Sequence, residues 1–327
     1  MSEPASRRYG LIGAGHSAYA HVRALSEVAA ASLVAVAETD GEALNDTMAF
    51  LQASRFKPAI YSDWREMLQL GELDAVVIAS DGAQHFDMLS EALQTDRAIF
   101  VEVPICNTFK EAKQLSRLAS KRAGLLQVGL DCRCLPEVMN FVAGVQADAS
   151  DPPRLVKLSV NGLFHADMAL AFRTIYPDGA PLDQLCGPYL DLLRWLTGAE
   201  PVRLSVNAGH VHPASRKKRD KKQPPRYDHA VMVLDFANGA KGVLDLALFG
   251  TPHIGMSVVT GQARHELTLN PAEPAPGHGP IAFSLRQFDQ ACATGQPAGA
   301  SFADGVRALE LGLLAQQAAV SGKAVTV

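Results

Sequence analysis

Short apolar runs alternate with amphipathic helical patterns through the first 130 residues. The apolar runs predict buried strands at 9–12, 32–37, 59–61, 74–79, 98–101 and 125–128. Helical patterns lie between them. The first ends near residue 30, and the others cover 63–70, 83–94 and 108–122. This short-period alternation predicts a parallel sheet with helices on both faces, in which ligands bind beyond the carboxyl ends of the strands.

A different pattern follows residue 129, where predicted strands succeed one another with few helices between them. They lie at 155–161, 203–210, 228–236, 241–248, 255–260 and 263–269, with a hairpin signal at Asn238 and Gly239, and helices at 282–293 and 301–321 close the chain. We therefore expect an α/β protein. Residues 1–130 form a doubly wound Rossmann domain, and residues 131–327 form an α+β domain with an open, mostly antiparallel sheet.

A glycine-rich turn follows the first predicted strand. The segment from Gly13 to Ala18 fits G-x-G-x-x-G/A and opens a helix, an arrangement that places a pyrophosphate on the helix N-terminus. Glu38 ends the next strand and is placed to accept hydrogen bonds from a ribose, while its charge would repel a 2′-phosphate. The motif predicts a dinucleotide site that prefers NAD over NADP, formed by Gly13, Ala14, Gly15, His16, Ser17 and Glu38.

Five stretches together resemble the Gfo/Idh/MocA family of sugar-type dehydrogenases. They are GLIGAGHSAYAH, VAVAETD, DAVVIASDGAQHFDMLSEALQTDRAIFVEVP, GPYLDLLRWLTG and the C-terminal segment from SLRQFDQACATG to SGKAV. The resemblance implies a nicotinamide-binding N-terminal domain and a second domain whose open sheet supports a homodimer or homotetramer. It also implies a small substrate between the domains, oxidised at a carbinol carbon or reduced at a carbonyl.

The family's Glu-Lys-Pro motif is altered in this chain. Glu102 and Pro104 match it, but Val103 replaces the lysine, and a valine can neither donate nor accept a proton. The family's Asp/His helix motif is also altered, so that Asp183 and Tyr189 become the candidates, with Tyr189 at the acid/base position. The resemblance further suggests a cis Val103–Pro104 peptide bond.

Other side chains are candidates for the same site. Ser80 and His85 follow a strand end that borders the nicotinamide in the family, although His85 could equally pack on its own turn. His165 lies two residues before Asp167 and could serve as a base with an orienting partner, or belong to a solvated loop. Arg173 and Tyr176 could bind a substrate carboxylate or hydroxyl.

Composition narrows the class of partner. The net charge is −4 and no apolar run is long enough to span a membrane, so we expect neither a nucleic-acid nor a membrane partner. The basic loop 216–226 is more typical of a solvated hairpin than of an anion site.

Five scattered cysteines favour a reducing, cytoplasmic location. Cys132 and Cys134 form a C-x-C pair, but the second pair that a zinc site needs is missing.

Two hypotheses remain at this point. The first is an NAD(P)-dependent oxidoreductase acting on a small sugar-like or polyol substrate. The second is a cofactor-binding sensor or regulatory protein without turnover, which the missing lysine would favour.

Overall fold

The computed structural model describes residues 6–162, 179–211, 225–269 and 279–327. The chain divides into two compact units, residues 1–135 with 275–306 and residues 136–274 with 307–327. The first division lies five residues beyond the predicted boundary. The predicted division did not include the return of residues 275–306 to the first unit.

A mostly parallel sheet forms the first unit. In the described residues its strands are β1 (Arg7–Ile12), β2 (Ala31–Ala37), β3 (Ala59–Tyr61), β4 (Ala75–Ile78), β5 (Ala98–Val101), β6 (Leu126–Val128) and β13 (Ala300–Ser301). Their order is β13-β6-β5-β4-β1-β2-β3, with β13 alone antiparallel to its neighbour among these strands. The order reverses direction at β1, and the ends of β1 and β4 therefore form the switch point where ligands bind in such sheets.

Helices accompany this sheet. They are α1 (His16–Ser26), α2 (Gly41–Ala53), α3 (Trp64–Leu68), α4 (His85–Ala92), α5 (Phe109–Ala119) and α9 (Pro280–Thr294). Asp63 caps α3 by accepting a hydrogen bond from the Arg65 amide. Phe288 of α9 packs edge-on against the buried rings of Tyr9 and Phe100. The late segment thus completes the core of the first unit.

The second unit contains a mostly antiparallel sheet, as predicted. Its strands are β7 (Leu155–Asn161), β8 (Pro201–Gly209), β9 (His229–Phe236), β10 (Lys241–Ala247), β11 (His253–Val259), β12 (Arg264–Leu269) and β14 (Val325–Thr326). The order is β12-β11-β7-β10-β9-β8-β14, and β7 and β10 are parallel. Gly239 has a φ of +86° in the tight turn between β9 and β10, which explains the hairpin signal there.

The helices of the second unit include α6 (Pro136–Gln146), α7 (Leu182–Leu185) and α8 (Gly187–Thr197). Most of α10 (Phe302–Ser321) also belongs to this unit. Helix α8 packs against β7 and β10. Asp191 of α8 is buried and pairs with Arg194, whose guanidinium also pairs with Glu200. Within the described residues, no helix has the length and hydropathy that crossing a membrane would require.

Candidate dinucleotide site

Gly13 is required where β1 turns into α1. Its φ is +98°, and a Cβ atom there would lie 2.6 Å from the backbone nitrogen of Ser80. No larger residue can adopt this turn and let the ends of β1 and β4 approach so closely. The first glycine of the predicted motif therefore has the structural role that the motif implies.

Gly15 leaves open space at the N-terminus of α1. It is the N-cap of that helix, no side chain caps the helix, and the first turn carries no acidic residue. A Cβ atom on Gly15 would have no neighbour within 4 Å. Uncapped amides beside open space fit a pyrophosphate. His16 and Ser17 begin the same helix, but their side chains lie outside the described part of the chain.

Glu38 lies against the glycine turn. Its Oε2 accepts a hydrogen bond of 2.6 Å from the Ala14 amide, and its Oε1 accepts bonds of 2.7 Å and 2.9 Å from the amides of Thr39 and Asp40. The buried Thr47 hydroxyl of α2 donates to the Ala14 carbonyl. Thr47 was missed by the sequence analysis, since no local pattern reveals a contact across 33 residues.

His85 joins the loops that follow β4 and β5. The ring is buried, with Nδ1 2.8 Å from the Pro104 carbonyl oxygen and Nε2 3.0 Å from the Ser80 carbonyl oxygen. Burial lowers the pKa of the ring, although the two carbonyl contacts act in the opposite direction. Both ring nitrogens of His85 therefore lie against backbone carbonyl oxygens. His85 supports the predicted cofactor-binding loops at Ser80 and Pro104 from within.

The Glu-Val-Pro segment follows β5. Val103 and Pro104 are joined by a cis peptide bond, as predicted, and both residues are partly exposed. The Glu102 carboxylate points towards α1, where its Oε1 lies 2.8 Å from Nε2 of the buried His21. A Cβ atom on Gly129 would lie 2.6 Å from Glu102 Oε2, so a glycine there makes room for this carboxylate. His21 was not a predicted site residue.

The second unit holds the predicted proton-transfer residues that the structure describes. Asp183 lies on α7 with a buried Oδ1, and burial raises the pKa of its carboxyl. Tyr189 lies partly exposed in the first turn of α8. His165 lies outside the described residues, as do Asp167, Arg173, Tyr176 and most of the basic loop.

The described residues contain no group of three His, Cys, Asp or Glu side chains that could hold a metal ion. All five cysteines fall within the described ranges and are free thiols, among them Cys132 and Cys134.

Comparison with known proteins finds a family match within the first unit. Residues 7–130 match the family Gfo/Idh/MocA, described as an oxidoreductase family with an NAD-binding Rossmann fold. The match covers the glycine turn, Glu38 and the Glu-Val-Pro segment, and it confirms the resemblance seen in the sequence.

Other similar proteins match nearly the whole chain. The rhizopine catabolism protein MocA of Rhizobium meliloti is 27% identical over 93% of this chain and 92% of that protein. A probable dehydrogenase from Thermotoga maritima has the same fold, with a TM-score of 0.83, 19% identity and 98% of each chain covered. Myo-inositol dehydrogenase from Lactobacillus casei, solved with NAD(H) and myo-inositol, gives a TM-score of 0.79, with 18% identity over 98% of this chain and 97% of its own.

Proposed function

We propose that this protein is an NAD-dependent oxidoreductase that moves hydride between the nicotinamide and a carbinol or carbonyl carbon of a small sugar-like or polyol substrate. The observation that carries the proposal is the position of Glu38, whose carboxylate lies on the glycine turn 2.6 Å from the Ala14 amide. A carboxylate there accepts hydrogen bonds from a ribose diol and repels a 2′-phosphate. NAD therefore fits this site better than NADP does.

Each strand end has a distinct task in this proposal. The α1 amides beside Gly15 bind the pyrophosphate, and Glu38 binds the adenosine ribose. The backbone at Ser80 and Pro104, held by His85, borders the nicotinamide. When bound, NAD supplies the carbon that accepts or gives up hydride.

The resemblance to the Gfo/Idh/MocA family assigns proton transfer to residues of the second unit. Tyr189 takes the acid/base position, because a phenol can donate a proton to, or accept one from, the reacting oxygen. Asp183 supports it as a carboxyl whose raised pKa favours the protonated form. His165 is proposed as a further base on the strength of its sequence alone. Val103 takes no part in proton transfer, unlike the lysine it replaces.

The substrate class is tested by following nicotinamide absorbance while inositols, other polyols and aldoses are offered with NAD, and the corresponding ketones with NADH. We expect turnover with at least one ring polyol or its ketone. The variant Tyr189→Phe should lower kcat by about 10²–10⁴-fold, the usual contribution of a positioned acid/base group. Tyr227→Phe in the same unit is the matched control, because the ring that stacks on His210 is kept.

If the protein binds NADH but turns over none of these substrates, the enzyme proposal is contradicted. It would favour the alternative, a cofactor-binding sensor on the same fold. Equal activity of Tyr189→Phe and wild type would remove Tyr189 from the proposed chemistry while leaving the reaction class in place.

We further propose that the second sheet binds a second copy of the chain. On β9 the residues Ala230, Met232 and Leu234 are buried, whereas Val231 and Val233 are 47% and 44% exposed. Strand β9 lies between β10 and β8, and exposed valines on such an interior strand are typical of a surface that is covered in an assembly. Light scattering should give a dimer or tetramer, and replacing both valines with Asp should shift the mass toward the monomer. A monomeric wild type would contradict this proposal.

A further inference from the structure

Thr47 of α2 makes a long-range contact with the glycine turn. The residue is buried, and its hydroxyl donates a hydrogen bond to the Ala14 carbonyl oxygen, 33 positions earlier in the chain. A threonine within a helix often donates instead to a carbonyl of the preceding turn of its own helix. The hydroxyl of Thr47 is directed out of its helix, so the contact joins α2 to the start of α1.

Helix α2 is held in place by its apolar side. Leu51 belongs to the buried core of the first unit, and Leu44 and Met48 pack against that core. Thr47 lies three positions after Leu44 and four before Leu51, a spacing that places these residues on one side of the helix. Core packing of α2 therefore sets the position of the Thr47 hydroxyl against the glycine turn.

The contact fixes the peptide group that joins Ala14 to Gly15. This peptide bond is trans, and the C=O and N–H of a trans peptide point in opposite directions. Because the Ala14 carbonyl points towards Thr47, the Gly15 N–H points away from α2. Within the described part of the chain this N–H has no hydrogen-bond partner. It is a free donor at the N-terminus of α1, where the glycine leaves open space.

Glu38 fixes the preceding peptide group. Its Oε2 accepts the hydrogen bond of 2.6 Å from the Ala14 amide, which belongs to the peptide between Gly13 and Ala14. The peptide groups on either side of the buried Ala14 are thus held by two side chains from different elements. Glu38 brings a charge to the turn, whereas the Thr47 hydroxyl is neutral. The effects of losing each contact on cofactor binding are therefore distinguishable.

We infer that Thr47 is a positioning residue for the pyrophosphate of the cofactor, acting through the Ala14 carbonyl. Its hydroxyl holds the Ala14–Gly15 peptide group in the orientation that lets the Gly15 amide donate to a pyrophosphate oxygen. A hydrogen bond to a charged oxygen is stronger than one to a neutral oxygen, and it weakens steeply when the N–H is turned away. Thr47 itself does not touch the cofactor. This inference rests on the proposed function, because it needs NAD at the glycine turn.

Thr47→Val removes the hydroxyl and nearly keeps the shape of the side chain. The Ala14–Gly15 peptide group is then free to turn, so we expect NADH binding to weaken by about tenfold, which corresponds to about 1.4 kcal/mol. NADPH and ADP should weaken by the same factor, because both carry the pyrophosphate. The ratio of the NADH and NADPH dissociation constants should stay as in wild type, since the Glu38 charge is kept. Calorimetric titration well below the unfolding temperature measures these affinities.

Two further variants separate the hydroxyl from the general effect of a substitution. Thr47→Ser keeps the hydroxyl and should restore the wild-type affinity for ADP. The matched control is Thr95→Val, which removes a hydroxyl of the same unit that donates over 2.8 Å to the Ala92 carbonyl oxygen, three positions earlier. It should leave ADP binding unchanged. If valine at position 47 prevents folding, Thr47→Ala makes the same test, because alanine lacks the hydroxyl and favours a helix.

A merely structural role of Thr47 would lower the unfolding temperature of Thr47→Val without changing its affinity for ADP, and that result would overturn the inference. A loss of NADH affinity that ADP does not share would also overturn it, because the pyrophosphate is common to both ligands. With the substrate found by the panel, the variant should raise the KM for NAD and leave kcat close to that of wild type. If wild type itself binds neither NADH nor ADP, the proposed function fails, and this inference fails with it.

Discussion

Gly15→Asp is expected to abolish useful NADH binding while leaving the fold at least as stable as wild type. The φ of Gly15 is −71°, and a Cβ atom there meets nothing within 4 Å, so a side chain is accommodated without strain. Asp is among the best N-cap residues and should stabilise α1 by a few tenths of a kcal/mol relative to Gly. The negative charge of the introduced Asp side chain would face the proposed pyrophosphate.

The size of the binding loss follows from that charge. Two like charges about 4 Å apart interact by up to about 4 kcal/mol at an effective dielectric constant of about 20. An unfavourable term of about 2–4 kcal/mol weakens NADH binding by about 30-fold to 1,000-fold. Calorimetric titration measures this loss, and thermal unfolding measures the stability.

Gly15→Asn is the matched control, because it has the same shape and the same capping ability without the charge. It should weaken NADH binding much less than Asp does. Equal affinity of Gly15→Asp and wild type for NADH would show that the pyrophosphate does not lie at α1. A large loss of stability in both variants would contradict the open space at Gly15.

Glu38→Gln is expected to weaken NADH binding by about tenfold or more and to reduce the preference for NADH over NADPH by at least about tenfold. Hydrogen bonds to a charged group contribute about 1.5–3 kcal/mol, and an amide replaces one carboxylate oxygen with a donor. That donor would face the amides of Ala14, Thr39 or Asp40, which are donors themselves. Loss of the charge also removes the repulsion of a 2′-phosphate.

The ratio of the two dissociation constants is the informative quantity for this variant. It should change in Glu38→Gln and stay as in wild type in Glu72→Gln, an exposed glutamate of the same unit. A ratio unchanged in Glu38→Gln would mean that Glu38 does not discriminate between the two cofactors.

Much of the first unit was predictable because its signals are local. Strand β5 and strand β3 begin and end where the apolar runs do, and Glu38 falls at the end of β2 as expected. Helix α2 was missed, although Leu44, Met48 and Leu51 have helical spacing and Asp40 is a start signal that accepts hydrogen bonds from the Glu42 and Ala43 amides.

The polar contacts of the site could not be predicted from the sequence, because they join positions far apart in the chain. His21 meets Glu102 across 81 positions, and its place on a helical face would ordinarily indicate packing. His85 was predicted at the site, but not that both its ring nitrogens face backbone carbonyls. Strands β13 and β14 have two residues each, too few for a hydrophobic period.

The most direct test of the central claim is a titration of the purified protein with NADH and with NADPH, followed by nicotinamide fluorescence. The account predicts saturable binding of NADH and at least about tenfold weaker binding of NADPH, because the Glu38 carboxylate occupies the glycine turn. Binding of neither cofactor would contradict the account, and the Rossmann unit would then be a scaffold without its ligand.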